Sequence, residues 1–240
     1  MNSTDGPADA TGIPEGITEG ATARATEGLR ERKKRQTRAA LSHATIALAI
    51  ERGWDDVRTE DIAAAVNVSE RTFRNYFSSK AEAVAATHLD RMLRVARALD
   101  ERPAREPMWE SISACVQAEF VPEGPKPVDP AAGRRHTDAI WKLLSDPAVQ
   151  GEVLRADQSA QVVLAEAIGK RTGTDPRVDL YPKLVAACVS ATLGTAMNHW
   201  LKADPPVPLG PLISEALEQL TTGLPVPVTT GNRPPDRPNT

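Results

Sequence analysis

The chain has 240 residues, a formal net charge of −3 at pH 7, and only two cysteines. This length allows two domains, and the net charge excludes a protein that binds nucleic acid as an overall polycation. Cys115 and Cys188 belong to no metal-ligand spacing, which favours reduced core cysteines in a cytosolic protein without a metal site. The N-terminus lacks a secretory signal, and the most apolar stretch, residues 184–197, is broken by polar residues. We therefore expect a cytoplasmic protein without a membrane span.

Helical periodicity dominates the chain between two tails, residues 1–28 and 223–240, which we predict to be disordered. No run alternates convincingly between apolar and polar residues, so the predicted fold class is all-α. The predicted helices, in chain order, span residues 31–52, 60–66, 70–76, 79–99, 108–120, 134–145, 147–171, 178–202 and 209–222.

A basic block opens the first predicted helix. Six cations lie between Arg30 and Arg38, and only Glu31 among the residues between them is acidic. Positive charge is unfavourable at a helix N-terminus, so another interaction must favour it there. Such a block is the electrostatic feature expected of a DNA-binding segment, and Arg35 and Arg38 are candidate DNA contacts.

The most informative segment is residues 59–80, TEDIAAAVNVSERTFRNYFSSK. It predicts two short helices joined by a turn at Asn67, because Asn readily adopts positive φ. Thr59 and Ser69 are suited to cap the two helices, and three consecutive alanines let the helix axes approach closely. This is the arrangement of a helix-turn-helix, in which the second helix enters the major groove.

These residues resemble the N-terminal domain of TetR-family regulators over residues 35–84. The resemblance rests on four short motifs in the expected order, at 51–54, 59–63, 68–73 and 76–80. Asn67 stands where the family usually has Gly, and Ala49 stands where it often has a large aromatic residue. Ile50 or Trp54 is expected to fill the volume that Ala49 leaves empty.

The resemblance implies a helix-turn-helix DNA-binding domain over residues 29–80 and roles for its exposed side chains. The positions expected to contact phosphates are Thr59, Ser69, Thr72, Tyr76 and Lys80. The positions expected to contact base edges are Arg71, Arg74 and Asn75, because Arg pairs well with guanine and Asn with adenine. Phe73 and Phe77 are interpreted as core residues. An ordinary solvated face is the alternative for Arg71, Arg74 and Lys80.

The rest of the chain shows no catalytic motif, so we expect neither an enzyme nor a cofactor. The resemblance implies that helix 79–99 links the reading domain to a helical ligand-binding and dimerisation domain over residues 100–222. Candidate pocket residues are Trp109, Phe120, Trp141, Leu144, Val163 and Asn198. Candidate residues of a homodimer interface in the last two helices are Leu184, Cys188, Leu212, Ile213, Leu217 and Leu220.

The sequence predicts a homodimeric repressor that a small-molecule effector releases from operator DNA. The region after residue 138 loosely resembles actinobacterial regulators of the mycofactocin-associated type, which suggests an apolar or acyl-type effector. The alternatives are a transcriptional activator or ligand-independent DNA-binding protein, an enzyme with a fortuitous helix-turn-helix, and a helical acyl- or lipid-binding module. The last would bind liposomes even after mutation of Arg74 and Asn75.

Overall fold

The computed structural model describes residues 16–121, 130–204 and 207–226. Regular structure in these ranges is entirely α-helical, which confirms the predicted all-α fold class. The helices are α1 (Gly16–Arg52), α2 (Thr59–Ala65), α3 (Glu70–Tyr76), α4 (Lys80–Glu101), α5 (Met108–Phe120), α6 (Pro130–Ser145), α7 (Pro147–Thr172), α8 (Leu180–Lys202) and α9 (Leu209–Thr221).

Helix α1 begins at Gly16, fifteen residues before the predicted start. The structure describes residues 16–28 as helix, where the sequence predicted a disordered tail, and residues 1–15 and 227–240 lie outside the described residues. Residues 16–30 contain seven Ala, Glu and Arg residues, which favour helix, beside three Gly and three Thr residues, which do not. Once the following turns have formed, each added residue gains a hydrogen bond without a new nucleation cost.

The first hydrophobic cluster, which we call the head core, joins α1, α2, α3 and the start of α4. Leu41, Ile62 and Phe73 are fully buried in it. Trp54 packs against this cluster and Ala49 is buried within it, as expected for a tryptophan that replaces missing aromatic volume. Leu143 and Val149, which lie around the α6–α7 junction, also belong to the head core. The N-terminal domain therefore does not close its core with its own residues alone.

The second cluster, the body core, lies between the second half of α4 and helices α5, α7, α8 and α9. Met92 and Leu99 of α4 are buried in it, whereas Ala83 and Val84 of the same helix are buried in the head core. Helix α4 also packs along α7. One continuous helix thus contributes to both cores.

Helix α8 is the one helix of the described residues that is long and apolar enough to cross a membrane. Part of it is buried, and it packs against α7 and α9. A core helix of a soluble protein has the same length and composition, so this property alone is weak evidence for a membrane span.

Candidate nucleic-acid interface

The turn between α2 and α3 has the geometry that the sequence predicts. Asn67 adopts φ of 56°, the left-handed conformation that Asn tolerates better than most residues. The turn is closed by backbone hydrogen bonds from Val68 N to Ala63 O, at 3.0 Å, and from Asn67 N to Ala64 O, at 3.1 Å. The two helices are therefore held at a fixed angle.

The aromatic residues around α3 are core residues, as predicted. Phe73 and Phe77 are 0% and 1% exposed, with ring centroids 5.7 Å apart. Burying two Phe side chains contributes about 3–6 kcal/mol in total, which anchors one side of this short helix. The opposite side is free to face a partner.

Capping differs between α2 and α3. Ser69 caps α3, since its hydroxyl accepts a hydrogen bond from Thr72 N at 3.1 Å. The predicted cap at Thr59 is wrong, because Thr59 is already the first residue of α2. The carboxylate of Asp61 instead accepts from the backbone N–H of Arg58 at 3.1 Å. The Thr59 hydroxyl donates to Glu70 at 3.0 Å and so joins α2 to α3.

The outward face of α3 presents Arg71, Arg74 and Asn75, all exposed. Their spacing of three and four residues places them on one side of the helix, opposite Phe73. Arg74 Nε donates to Glu70 Oε1 at 2.9 Å. Hydrogen bonds from Arg74, and then from Thr59, hold the pKa of Glu70 below its usual value. Glu70 thus remains ionised and orients the Arg74 guanidinium.

Two of the predicted DNA contacts also have partners within the chain. Arg38 Nη1 lies 3.3 Å from Asp90 Oδ1, and its guanidinium lies 5.0 Å from the centre of the Phe77 ring. Lys80 Nζ donates to the carbonyl oxygens of Trp54 and Val57, at 2.6 and 3.1 Å. These contacts brace α1 and the α1–α2 loop against α4. Both residues are partly exposed, and their role in DNA binding stays a prediction.

The remaining predicted phosphate contacts are more accessible. Arg35 and the basic residues before it, from Arg30 onward, are exposed. Ser69 is exposed and Thr72 partly so, and their hydroxyls lie 2.9 Å apart at the start of α3. Tyr76 is partly buried against the head core. Hydroxyl groups therefore lie at the start of the exposed α3 face. The same domain carries exposed basic residues on α1.

The six predicted ligand-pocket residues do not surround one cavity. Phe120 is buried in the body core, and Trp109 and Val163 pack against it. Leu144 packs against the head core instead, and Trp141 lies beneath the Lys202 ammonium, 4.6 Å from the ring centre. Asn198 is exposed. Helical periodicity identified most of these as inward-facing but could not show which core each one joins.

Two clefts in the described part of the chain lie elsewhere. One, of about 580 Å³, lies between the head and the first turns of α7. The other, of about 540 Å³, lies between α1, α4 and α5. Polar and small side chains form much of both linings. The search for apolar periodicity in the sequence therefore did not identify either cleft.

The predicted dimer residues divide between the interior and the surface. Ile213 and Leu217 are 1% and 4% exposed within the body core, so the prediction that they form an interface between subunits is wrong. The apolar stripe of α9 is used inside its own chain. Leu184 is 52% exposed on α8, Cys188 is partly exposed, and Leu212 and Leu220 are partly buried.

Comparison with known proteins identifies the relatives of this architecture. Residues 41–87 match the family model of bacterial regulatory proteins of the tetR family, and residues 106–225, half of the chain, match the MftR C-terminal domain. The HTH-type transcriptional regulator TcmR of Streptomyces glaucescens is 31% identical over 179 residues, covering 74% of this chain and 79% of that protein. A proposed mycofactocin biosynthesis transcriptional regulator, MftR of Mycobacterium tuberculosis, is 24% identical over 193 residues, covering 80% and 93%.

Solved structures share the fold. A proposed TetR-family regulator from Syntrophomonas wolfei superposes with a TM-score of 0.54 at 17% identity, covering 80% of this chain and 98% of that one. The fatty acid degradation regulator FadR from Bacillus halodurans gives 0.50 at 18%, covering 78% and 96%. The chain therefore belongs to the TetR family of bacterial transcriptional regulators, and its C-terminal domain is of the MftR type.

Proposed function

We propose that this regulator is a cytoplasmic homodimer that represses transcription by reading its operator with α3. The observation that carries the proposal is the outward face of Arg71, Arg74 and Asn75 on a helix anchored by buried Phe73 and Phe77. Bidentate pairs from Arg to guanine and from Asn to adenine each contribute about 1–3 kcal/mol of discrimination. Three such side chains on one face match direct readout in the major groove.

Phosphate contacts would fix the orientation of α3 on the duplex. Hydroxyl groups of Thr59, Ser69, Thr72 and Tyr76 are placed around the helix, and Arg35 extends the basic part of α1. Such contacts carry no sequence information but supply much of the affinity and its salt dependence. Mutation of Arg35 should therefore weaken binding to all sequences alike.

A homodimer would place two copies of α3 at half-sites about 34 Å apart. The outward side of α8 supports this proposal, since Leu180 and Leu184 are 71% and 52% exposed, and Val178, two residues before the helix, is 81% exposed. Cys188 continues that side, and Leu212 and Leu220 of α9 would lie at the edge of the interface. Leu184→Glu should shift the protein toward monomer in sedimentation, with operator affinity falling in parallel.

Release from DNA would follow from an effector that binds the non-operator conformation more tightly than the operator-bound one. Helix α4 supports this mechanism because it contributes to both cores, so a change in its tilt moves the head. The effector would be a small molecule with an apolar or acyl-type body. Crosslinking the two heads at operator spacing should abolish the response to it.

A mobility-shift titration against DNA flanking the regulator's own gene tests base reading, at about 50 and 200 mM salt. We expect Arg74→Ala/Asn75→Ala to lose roughly 30-fold or more in affinity for the operator, since two base contacts disappear. Arg177→Ala is the matched control, because Arg177 is 89% exposed and paired with Asp175, outside the DNA-binding domain. Equal, salt-labile binding by all three proteins would refute readout through α3.

Repression itself has a separate test. Deleting the regulator should raise expression from a reporter fused to the bound promoter, whereas an activator would lower it on deletion. A ligand-independent protein would keep its operator affinity across an extract of its host's metabolites. These outcomes separate the proposed repressor from the two alternatives that share its DNA binding.

A further inference from the structure

The cleft of about 540 Å³ between α1, α4 and α5 has the size of a small-molecule site. Its lining includes Ser42 and His43 from α1, Thr87 and Arg91 from α4, and Glu119 from α5. An occupant would therefore contact the DNA-binding helix bundle and the linking helix α4 at the same time.

The charge distribution within the cleft singles out Arg91. Asp90 is paired with Arg38 at 3.3 Å, and Glu119 accepts from Arg94 Nε at 2.7 Å, so both acids of the lining already have cationic partners. Arg91, by contrast, forms no hydrogen bond or ion pair with the described residues. Its one specific contact is with the Phe120 ring, whose centre lies 5.6 Å from the guanidinium carbon.

The guanidinium of Arg91 has no hydrogen-bonding or acidic partner among the described residues to offset its partial burial. Arg91 is partly buried, and burial lowers its pKa, with the nearby charge of Arg94 lowering it further and that of Glu119 opposing both. The five donors of a guanidinium are usually satisfied, and a desolvated charge without a partner costs free energy. A planar oxyanion would satisfy two donors at once and offset the repulsion from Arg94.

The other polar groups of the cleft do not compete for this role. The Ser42 hydroxyl donates to the Ala83 carbonyl and lies 2.8 Å from the Thr87 hydroxyl, so these two groups satisfy each other. His43 is exposed at the surface of α1. The wall also includes the small apolar residues Ala39 and Ala118.

We propose that the cleft between α1, α4 and α5 binds a small organic anion, whose carboxylate or other oxyanion pairs with Arg91 while its apolar part lies against the alanines and Val121. This inference deepens the proposed function, on which it rests, by giving the effector a negative charge and a place between head and body. Binding at this cleft would act on α1 and α4 directly.

Thermal unfolding of the full chain without DNA tests the site, so its result is independent of operator binding. The probes are acetate, phenylacetate and inorganic phosphate, with acetamide and phenylacetamide as neutral counterparts at equal ionic strength. We expect phenylacetate to raise the melting temperature by about 3–6 °C at ten times its dissociation constant. Acetate and phosphate should give smaller shifts, and the two amides none.

Substitutions assign the response to Arg91. Arg91→Gln removes an unpaired charge but also the contact with the Phe120 ring, so its melting temperature without anion should stay close to that of the wild type. It should lose the shift with phenylacetate. Arg91→Lys keeps the charge without the planar fork and should retain part of the shift. Arg97→Gln, an exposed arginine of the same helix, is the control and should respond like the wild type.

An equal phenylacetate shift in Arg91→Gln and wild type would overturn the site, as would the absence of a shift with all three anions. A phosphate shift that matches or exceeds that of phenylacetate would overturn the organic part of the proposal. In each of these cases a loss of operator binding in the Arg74→Ala/Asn75→Ala protein would still stand, so the two proposals fail separately.

Discussion

Val149→Ala should weaken the DNA-binding head although Val149 lies on α7. This side chain is 0% exposed and belongs to the same cluster as Leu41, Ile62 and Phe73. Truncation removes two carbon atoms, about 1.6 kcal/mol at ~0.8 kcal/mol per methylene. The unfilled space adds roughly 1 kcal/mol. The expected loss is about 1.5–3 kcal/mol, or roughly 3–10 °C in melting temperature for a chain of this size.

The matched control is Val162→Ala, the same substitution on the same helix at a side chain that is 61% exposed. Its effect should stay within about 0.5 kcal/mol. Both variants are unfolded in urea at one fixed protein concentration, because self-association changes apparent stability. Hydrogen exchange then locates the loss, and we expect amides of α2 and α3 to exchange faster in Val149→Ala than in the control.

A different result would refute the reasoning. Equal stabilities of the two variants would mean that Val149 contributes nothing to the head core. Faster exchange confined to α6 and α7 would mean that the head folds independently of the body. Either outcome would remove the structural basis for coupling between the two.

Two further predictions concern the ion pairs. Glu70→Gln should lower the ratio of operator to non-operator affinity roughly fivefold or more, because Arg74 loses the carboxylate that orients it. Non-specific binding should rise, because a negative charge is removed near the DNA. An unchanged ratio in competition titrations would contradict this. Hydrogen bonds from Arg102 and then Ser111 lower the pKa of Glu106 to about 2. The ionised Glu106 carboxylate therefore stabilises the fold above the ordinary carboxyl pKa, and this stabilisation is lost as pH falls toward 2. Glu106→Gln should flatten the decline in melting temperature between about pH 4.5 and 2, and an unaltered acid limb would show that this pair contributes nothing.

The features predicted correctly from the sequence are local ones. The turn at Asn67, the cap at Ser69 and the burial of Phe73 and Phe77 depend on residues within about ten positions of one another. Backbone preference, capping chemistry and side-chain periodicity act over that range. Each of the four short motifs that identified the family, at 51–54, 59–63, 68–73 and 76–80, is itself shorter than that range.

The features that the sequence did not predict depend on contacts between distant segments. Arg38 meets Asp90 across 52 positions, and Lys80 meets Trp54 across 26, so their partners could not be read from spacing. Ile213 and Leu217 form an apolar stripe, but a stripe does not reveal whether its own chain or a second copy covers it. The early start of α1 has a different, local cause, because residues without apolar periodicity still extend an existing helix.

The sharing of the head core has a consequence for regulation. If the head core consisted only of residues from α1 to α4, an effector in the body could move the head only through α4. Flexibility of α4 would then weaken the coupling between head and body. With Leu143 and Val149 buried in the head core, any shift of the α6–α7 junction must repack residues that hold α3 in place. Arg38 adds a second constraint, since it joins α1 to Asp90 on α4 beside the cleft that contains Arg91. Head and body are therefore joined on two sides. An occupant of that cleft, which would contact both α1 and α4, would change the orientation of α3 by shifting α1 or by moving α4 relative to α7. The packing between α4 and α7 is thus one element for an effector to bias.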